Sequence, residues 1–500
     1  MKKTRIINNR PMVFAALGLM LGIFISFFAI QNKILFWIVL GVVLSISGFL
    51  FFKKNFIIAV ILLFFAAGYL GHYVQYNSSY QSYNPDEGYF ITAKVAKINR
   101  GEKYDNLTLK ILKIDGFKAK GQAHLRVYGE NNFEIFDTVE FYGKIENKKI
   151  EFSDHASRAS YGNGVFYNME MIGVLDVDKN LTFSEKIRKR MTLPMDEYMK
   201  EPNKAFAHSL LFGDVSWVSP QELEAIRVSG LSHIFAVSGL HIGFVVAIFA
   251  FLMKKIRIHR MLSMAIMAGI LFMYCLITAF PPSAVRAAIM AVSYLLAQAV
   301  YKKSDGLSSL AFASVVMLLI SPRTLFSLSF IMSLAAVFGI FLFFKPIYNF
   351  FMQKSKNKFR KYVSASCALS LSANIFLLPL CLNVFGVISL YFLPANLIVL
   401  PIVTVGYILL FVAGVLSLVW QGMGFLFLMP DIVLDIIRFL VNILSRLPYA
   451  SLPSSGMGIF TAVYVIAMIL ISRYVLLDKQ QKITAFSAIL FVGIILLIIF

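Results

Sequence analysis

PMVFAALGLMLGIFISFFAI runs from Pro11 to Ile30 without a charged residue. A helix needs about 20 apolar residues to cross the hydrocarbon core of a bilayer. The run is too long for the apolar core of a signal peptide, and a second comes almost at once, so it reads as a retained spanning helix. Segments at about 34–52 and 56–74 continue the pattern. Lys2, Lys3, Arg5 and Arg10 precede the first, and Lys53 and Lys54 separate the second from the third. Such cations mark cytoplasmic ends. Three crossings then place the chain beyond residue 75 outside.

Further apolar runs fall at about 232–253, 261–279, 284–301, 307–321, 325–345 and 363–382. The basic loops between them (Lys254 to Arg260, Lys302-Lys303, Lys354 to Lys361) fall on the cytoplasmic side if residues 75–230 lie outside. Beyond 386 one long apolar stretch is interrupted by Pro394 and Pro401, as in helices that line a path or in a simple proline kink. Runs near 457–476 and 484–500 end the chain. The total is about eleven to thirteen membrane segments. Hydrophobic residues make up 59% of the chain and charged residues 15%, where soluble proteins have roughly 25% charged. Long apolar runs rather than short alternating strands argue for helices over a transmembrane β-barrel.

Residues 86–180 obey another rule. YFITAKVAKI, NLTLKILKI, AHLRVYG, DTVEFYGKI and VFYNMEMIGVLDV alternate apolar and polar positions between turn residues. They predict a small all-β domain, which a five-stranded barrel of the OB type fits, as do other small barrels. The fold class is thus a polytopic α-helical membrane protein with a small extracytoplasmic β-barrel, OB-like domain inserted after the third helix. Its parts are N-terminal membrane helices (1–75), the β domain (86–180), an amphipathic surface linker (181–229) carrying the cationic stretch SEKIRKRM, and a helix bundle (230–500).

Net charge is +21, with 47 Lys and Arg against 26 acids, and much of the excess is topological. Part of it is concentrated. Between Lys94 and Arg126 nine Lys or Arg face three acids, with Tyr104, Phe117 and Tyr128 placed for stacking. Basic residues interleaved with aromatics suit a single strand of nucleic acid, and they equally suit a solvated face over core aromatics. Cys275, Cys367 and Cys381 sit in apolar runs without metal-ligand spacing and read as packing residues. No cofactor is called for, and no GxxxxGK[ST] loop is present.

GLSHIFAVSGLHIG, residues 230–243, puts His233, Ser238, Gly239 and His241 at the start of an apolar run. Ionisable groups there are costly and mark function by default. On one continuous helix, Ser238 and His241 would share a face, as would His233 and His241. A small residue such as Gly239 admits a close backbone neighbour. Ser283 and Arg286 head a later run; Asn374 and Asn396 add polar groups, and Arg323, Ser327 and Ser329 flank another segment. An intramembrane hydrolase using Ser238 and His241 would need an acid that the sequence does not display.

These residues resemble the ComEC family. AHSLLFGD (207–214), GLSHIFAVSGLHI (230–242), PSAVRAAIM (282–290), SPRTLF (321–326) and PANLIVLP (394–401) match its blocks in order. LSFIMS (328–333) departs from the usual GFQLS block. The resemblance implies a channel that passes single-stranded DNA across the cytoplasmic membrane during natural transformation. His233, Ser238, Gly239, His241, Ser283, Arg286 and Asn396 would line it. Lys94, Lys97, Arg100, Tyr104, Lys110, Lys113 and Arg126 would contact DNA on the β domain. It further implies an extracytoplasmic DNA receptor, a cytoplasmic ATPase and the lipid membrane as partners. Many members carry a metallo-β-lactamase-like hydrolase domain; no HxHxDH run occurs here, so no enzymatic activity is expected and a separate protein would supply it. A small-molecule or ion transporter, or a ComEC-like scaffold without transport, are the alternatives.

Overall fold

The computed structural model describes residues 10–30, 32–99, 104–128, 133–150, 154–235, 237–352, 357–453 and 460–471. Three helices come first: α1 (Pro11–Ala29), α2 (Lys33–Phe52) and α3 (Phe56–Ser79). α1 and α3 pack backbone to backbone. A Cβ on Gly18 or Gly22 would lie 2.5 or 2.0 Å from carbonyls of α3, and one on Gly68 2.3 Å from the Leu19 carbonyl. Small residues four apart are what lets membrane helices approach this closely.

The β domain contains β1 (Gly88–Asn99), β2 (Tyr104–Ile114), the short β3 (Phe117–Lys118), β4 (Gln122–Tyr128), β5 (Thr138–Asn147), α4 (His155–Asn163) and β6 (Val165–Asp178). Alternation does the folding. Ile91, Ala93, Val95, Leu107, Leu109, Leu125, Phe141 and Met169 point inward and are buried. β1 pairs with both β2 and β5, β2 with β4, β4 with β6 in parallel, and β6 with β5. The ring β1–β2–β4–β6–β5 therefore closes into a five-stranded barrel and leaves no edge among its long strands.

The barrel is seated on the helices through α4. A Cβ on Gly162 would come within 2.3–2.7 Å of the Phe326 and Ser327 backbone. Ser327 Oγ donates to Asn163 Oδ1 at 3.1 Å. Below it His72 bridges Ser26 Oγ (3.1 Å) and the Tyr161 hydroxyl (2.6 Å). Buried hydroxyls and imidazole are thus matched, as burial requires.

The remaining chain is helical: α5 (Phe183–Tyr198), α6 (Glu201–Phe212), α7 (Pro220–Val228), α8 (Gly239–Lys255), α9 (Arg260–Ile277), α10 (Pro282–Ala299), α11 (Gly306–Ile320), α12 (Leu328–Met352), α13 (Lys358–Phe385), α14 (Phe392–Val419), α15 (Leu428–Ser445) and α16 (Phe460–Ile471). Seven described helices (α1, α2, α3, α9, α12, α13, α14) are long and apolar enough to cross a membrane. Three expected segments differ. The run 232–253 becomes a short 3-10 turn (Ser232–Ile234) and the 17-residue α8, the run 284–301 becomes α10, and the run 307–321 becomes the 15-residue α11; none is among the seven. The run at 484–500 lies outside the described residues.

The stretch 181–229 is amphipathic as expected, but its apolar side is not a surface. Lys186, Lys189 and Arg190 are exposed, while Met191, Met195, Phe206, Leu210 and Leu211 join α8, α9, α14 and α15 in one buried cluster. Burying these side chains is worth about 1.5–3 kcal/mol each, which holds α5 and α6 in the bundle. The prolines of α14 fall within one helix. Pro401 removes the N–H that would bond the Leu397 carbonyl, and the Tyr362 hydroxyl supplies a long donor there at 3.4 Å.

Candidate nucleic-acid interface and buried arginine site

Two places gather the expected residues. The first is the outer face of β1, β2 and β4. Tyr104 and Tyr128 are directly opposite in register, with ring centroids 5.6 Å apart. The Arg126 guanidinium stacks on Tyr104 at 5.5 Å. Tyr128 is 70% exposed, and Phe117 is 80% exposed on the adjoining turn. Lys97, Lys110 and Lys113 are exposed on the neighbouring strands. A β-bulge between Val95 and Lys97 lets Lys94 and Lys97 both face outward despite their odd spacing. Glu170 stands beside Arg126 in the β4–β6 register, so the face is cationic without being acid-free. Burial first, then Lys148 and Arg126, lowers the His124 pKa, so this ring is neutral at neutral pH.

Lys94 departs from expectation. It pairs with Glu185 of α5 at 2.7 Å, both side chains being largely buried, and so ties the barrel to α5. Arg188, one turn on, pairs with Asp214 at 2.6 Å and lies over Phe136 and Phe212. Burial pushes the Asp214 carboxyl up, but Arg188 and the Ser216 hydrogen bonds outweigh it, and its pKa is lowered. Arg100 lies outside the described residues.

The second place is where α8 and α10 begin. Ser238 is the N-cap of α8, and its backbone N–H donates to His241 Nδ1 at 2.9 Å. The Ser238 hydroxyl bonds back to the first-turn amides, giving a capping box with His in place of the usual Glu. Because Nδ1 accepts, the neutral His241 ring carries its proton on Nε2. That ring packs edge-on against Tyr407 (4.6 Å), whose hydroxyl bonds that of Tyr274 (3.1 Å). Ser238 and His241 thus act together as a cap. His233 does not share their helix; it is exposed on the preceding 3-10 turn.

Ser283 donates to the Val237 carbonyl and clamps the start of α10 to the residue before the cap. Arg286, 4% exposed, lies one turn further on. Its Nη1 donates to the Ser333 carbonyl at 3.1 Å, and its Nε has no partner. Nη2 lies 3.5 Å from where a Gly239 Cβ would be, so a methyl there would make ordinary contact and close backbone approach is not what this glycine provides. No described carboxylate forms an ion pair with Arg286. Asn396 is buried on α14 with Oδ1 unpartnered, and no hydrogen bond joins it to this group. Sequence reasoning missed Glu185, Tyr407 and the Ser333 carbonyl. The first two sit far along the chain from their partners, and the third carries no side-chain signal.

A family model described as competence protein matches residues 210–479. A Bacillus subtilis (strain 168) protein described as ComE operon protein 3 is 26% identical over 261 residues, covering 52% of this chain and 32% of that protein. An uncharacterized protein of Aquifex aeolicus (strain VF5) is 30% identical over 164 residues, 33% of this chain and 36% of the relative. The chain's matches thus span about a third of each relative's length. No solved structure matches. The family match takes in α8, α10 and the buried arginine and covers more than half of the sequence, and the chain is a member of the ComEC family of competence proteins.

Proposed function

We propose that this chain carries single-stranded DNA across the cytoplasmic membrane during natural transformation. The observation that carries the reading is the Tyr104–Tyr128 pair with Arg126 stacked on it, flanked by Lys97 and Lys110 on one barrel face. Aromatic planes take bases of any sequence, and the cations take the phosphates. The barrel's closure order supports an OB-like reading, and in OB folds the faces of the second and third strands bind oligonucleotides. Here those strands are β2 and β4.

In this reading the N-terminus is cytoplasmic and the barrel extracytoplasmic. α4 hands the strand from barrel to bundle, where a hydrated path must replace lipid around each phosphate. Arg286, His233 and His241 border that path. A DNA receptor outside, an ATPase inside and a separate hydrolase complete the system. Cells lacking the protein should fail to take up labelled DNA. Wild type should restore uptake, and a Tyr104→Ala, Tyr128→Ala variant at normal membrane levels should restore little. Uptake unchanged by deletion would overturn the reading.

A further inference from the structure

We propose that the junction of α8 and α10 is a phosphate seat whose recognition element is the free edge of Arg286. A guanidinium binds phosphate through two parallel N–H groups. Arg286 uses Nη1 on the Ser333 carbonyl. Its other edge, Nε and Nη2, makes no hydrogen bond, and Nη2 points at Gly239, the first residue of α8.

The charge is on the wrong end of its own helix. Arg286 is in the second turn of α10, and it faces the start of α8. Helix N-termini carry partial positive charge and stabilise anions. Two such ends and a buried guanidinium therefore converge with no described acid to balance them. A buried charge left without a counter-ion is strongly destabilising, so the arrangement calls for an anion from outside the chain. Ser283 and Ser238 are already spent on the Val237 carbonyl and the α8 cap, which leaves the arginine edge as the ligand's contact. Gly239 presents no side chain that would have to swing aside.

The recognised group is a phosphate, whether of a DNA strand, a lipid headgroup or the free ion; its assignment to DNA rests on the proposed function. The test is thermal unfolding of the full chain purified in a phosphate-free maltoside detergent. Inorganic phosphate should raise the midpoint of wild type. The midpoint of Arg286→Gln should not move, and Arg286→Lys, which keeps the charge but not the fork, should need about tenfold more phosphate. Short oligothymidylate that gives the same Arg286-dependent rise supports the DNA assignment. A rise with phosphate but none with oligothymidylate leaves the seat standing and overturns its use for DNA. A rise only on adding phosphatidylglycerol assigns the seat to a lipid headgroup and likewise overturns its use for DNA. If wild type responds to none of phosphate, oligothymidylate and phosphatidylglycerol, or if Arg286→Gln and Arg286→Lys both respond as wild type does, the seat is refuted.

Discussion

The barrel face and the α8–α10 junction are both cationic, and they handle charge in opposite ways. On the barrel, Lys97, Lys110 and Lys113 are solvated and interchangeable, and aromatic planes accompany them. At the junction a single arginine is 4% exposed, has no acid partner among the described residues and leaves one edge unbonded. Water screens the first set, so each cation there is worth little alone. Nothing screens the second, so one residue carries the effect. The lesson is that charge count locates the weaker of the two sites, and burial locates the stronger.

Substitutions should separate them. Arg286→Ala is expected to have the largest effect. Truncating a buried charged partner costs about 2–5 kcal/mol, so uptake of labelled DNA should fall at least about thirtyfold while binding of DNA to the barrel persists. Near-normal uptake in cells with normal protein levels would erase the contrast. Next come Tyr104→Ala and Tyr128→Ala. Each should weaken single-stranded DNA binding by about 1–3 kcal/mol in fluorescence anisotropy, with little dependence on base sequence. A sequence-dependent loss would mean the rings read bases rather than stack on them.

Gly162→Ala tests the joint between the regions. Its methyl would meet the Phe326–Ser327 backbone at 2.3–2.7 Å, an overpacking that costs about 1–3 kcal/mol. Limited proteolysis should show a looser barrel, DNA binding should survive, and uptake should drop. Lys97→Gln and Lys110→Gln should each flatten the salt dependence of single-strand binding by a slope of about 0.7. Lys94→Gln should do least to DNA affinity, because Lys94 is held by Glu185. A slope change from Lys94 equal to that from Lys97 would show that DNA competes for that ion pair.

Much of this was legible from residue order. Apolar runs gave the long helices, and alternation in 86–180 gave strands that close into a barrel. The break between His233 and His241 was harder to read, because the apolar pattern continues straight through it. A signal existed nonetheless. Ser238 with a hydrogen-bonding residue three positions on is the pattern of a helix start. The cationic stretch of α5 looked like a surface element because its exposed charges are prominent, while the methionines that bury it are spread over the following turns.

What the sequence determined by itself was local and periodic: lengths of apolar runs, alternation, proline positions and the crowding of Lys and Arg between 94 and 126. Those properties depend on neighbours a few residues apart. Tertiary structure alone decided that Lys94 belongs to Glu185, that Tyr104 meets Tyr128, that α4 rests on the loop before α12, and that Arg286 pairs with no acid among the described residues. A charge is paired or unpaired according to what the folded chain brings within about 4 Å of it, and partners 91 residues apart, as in the Lys94–Glu185 bond, leave no mark in the local pattern.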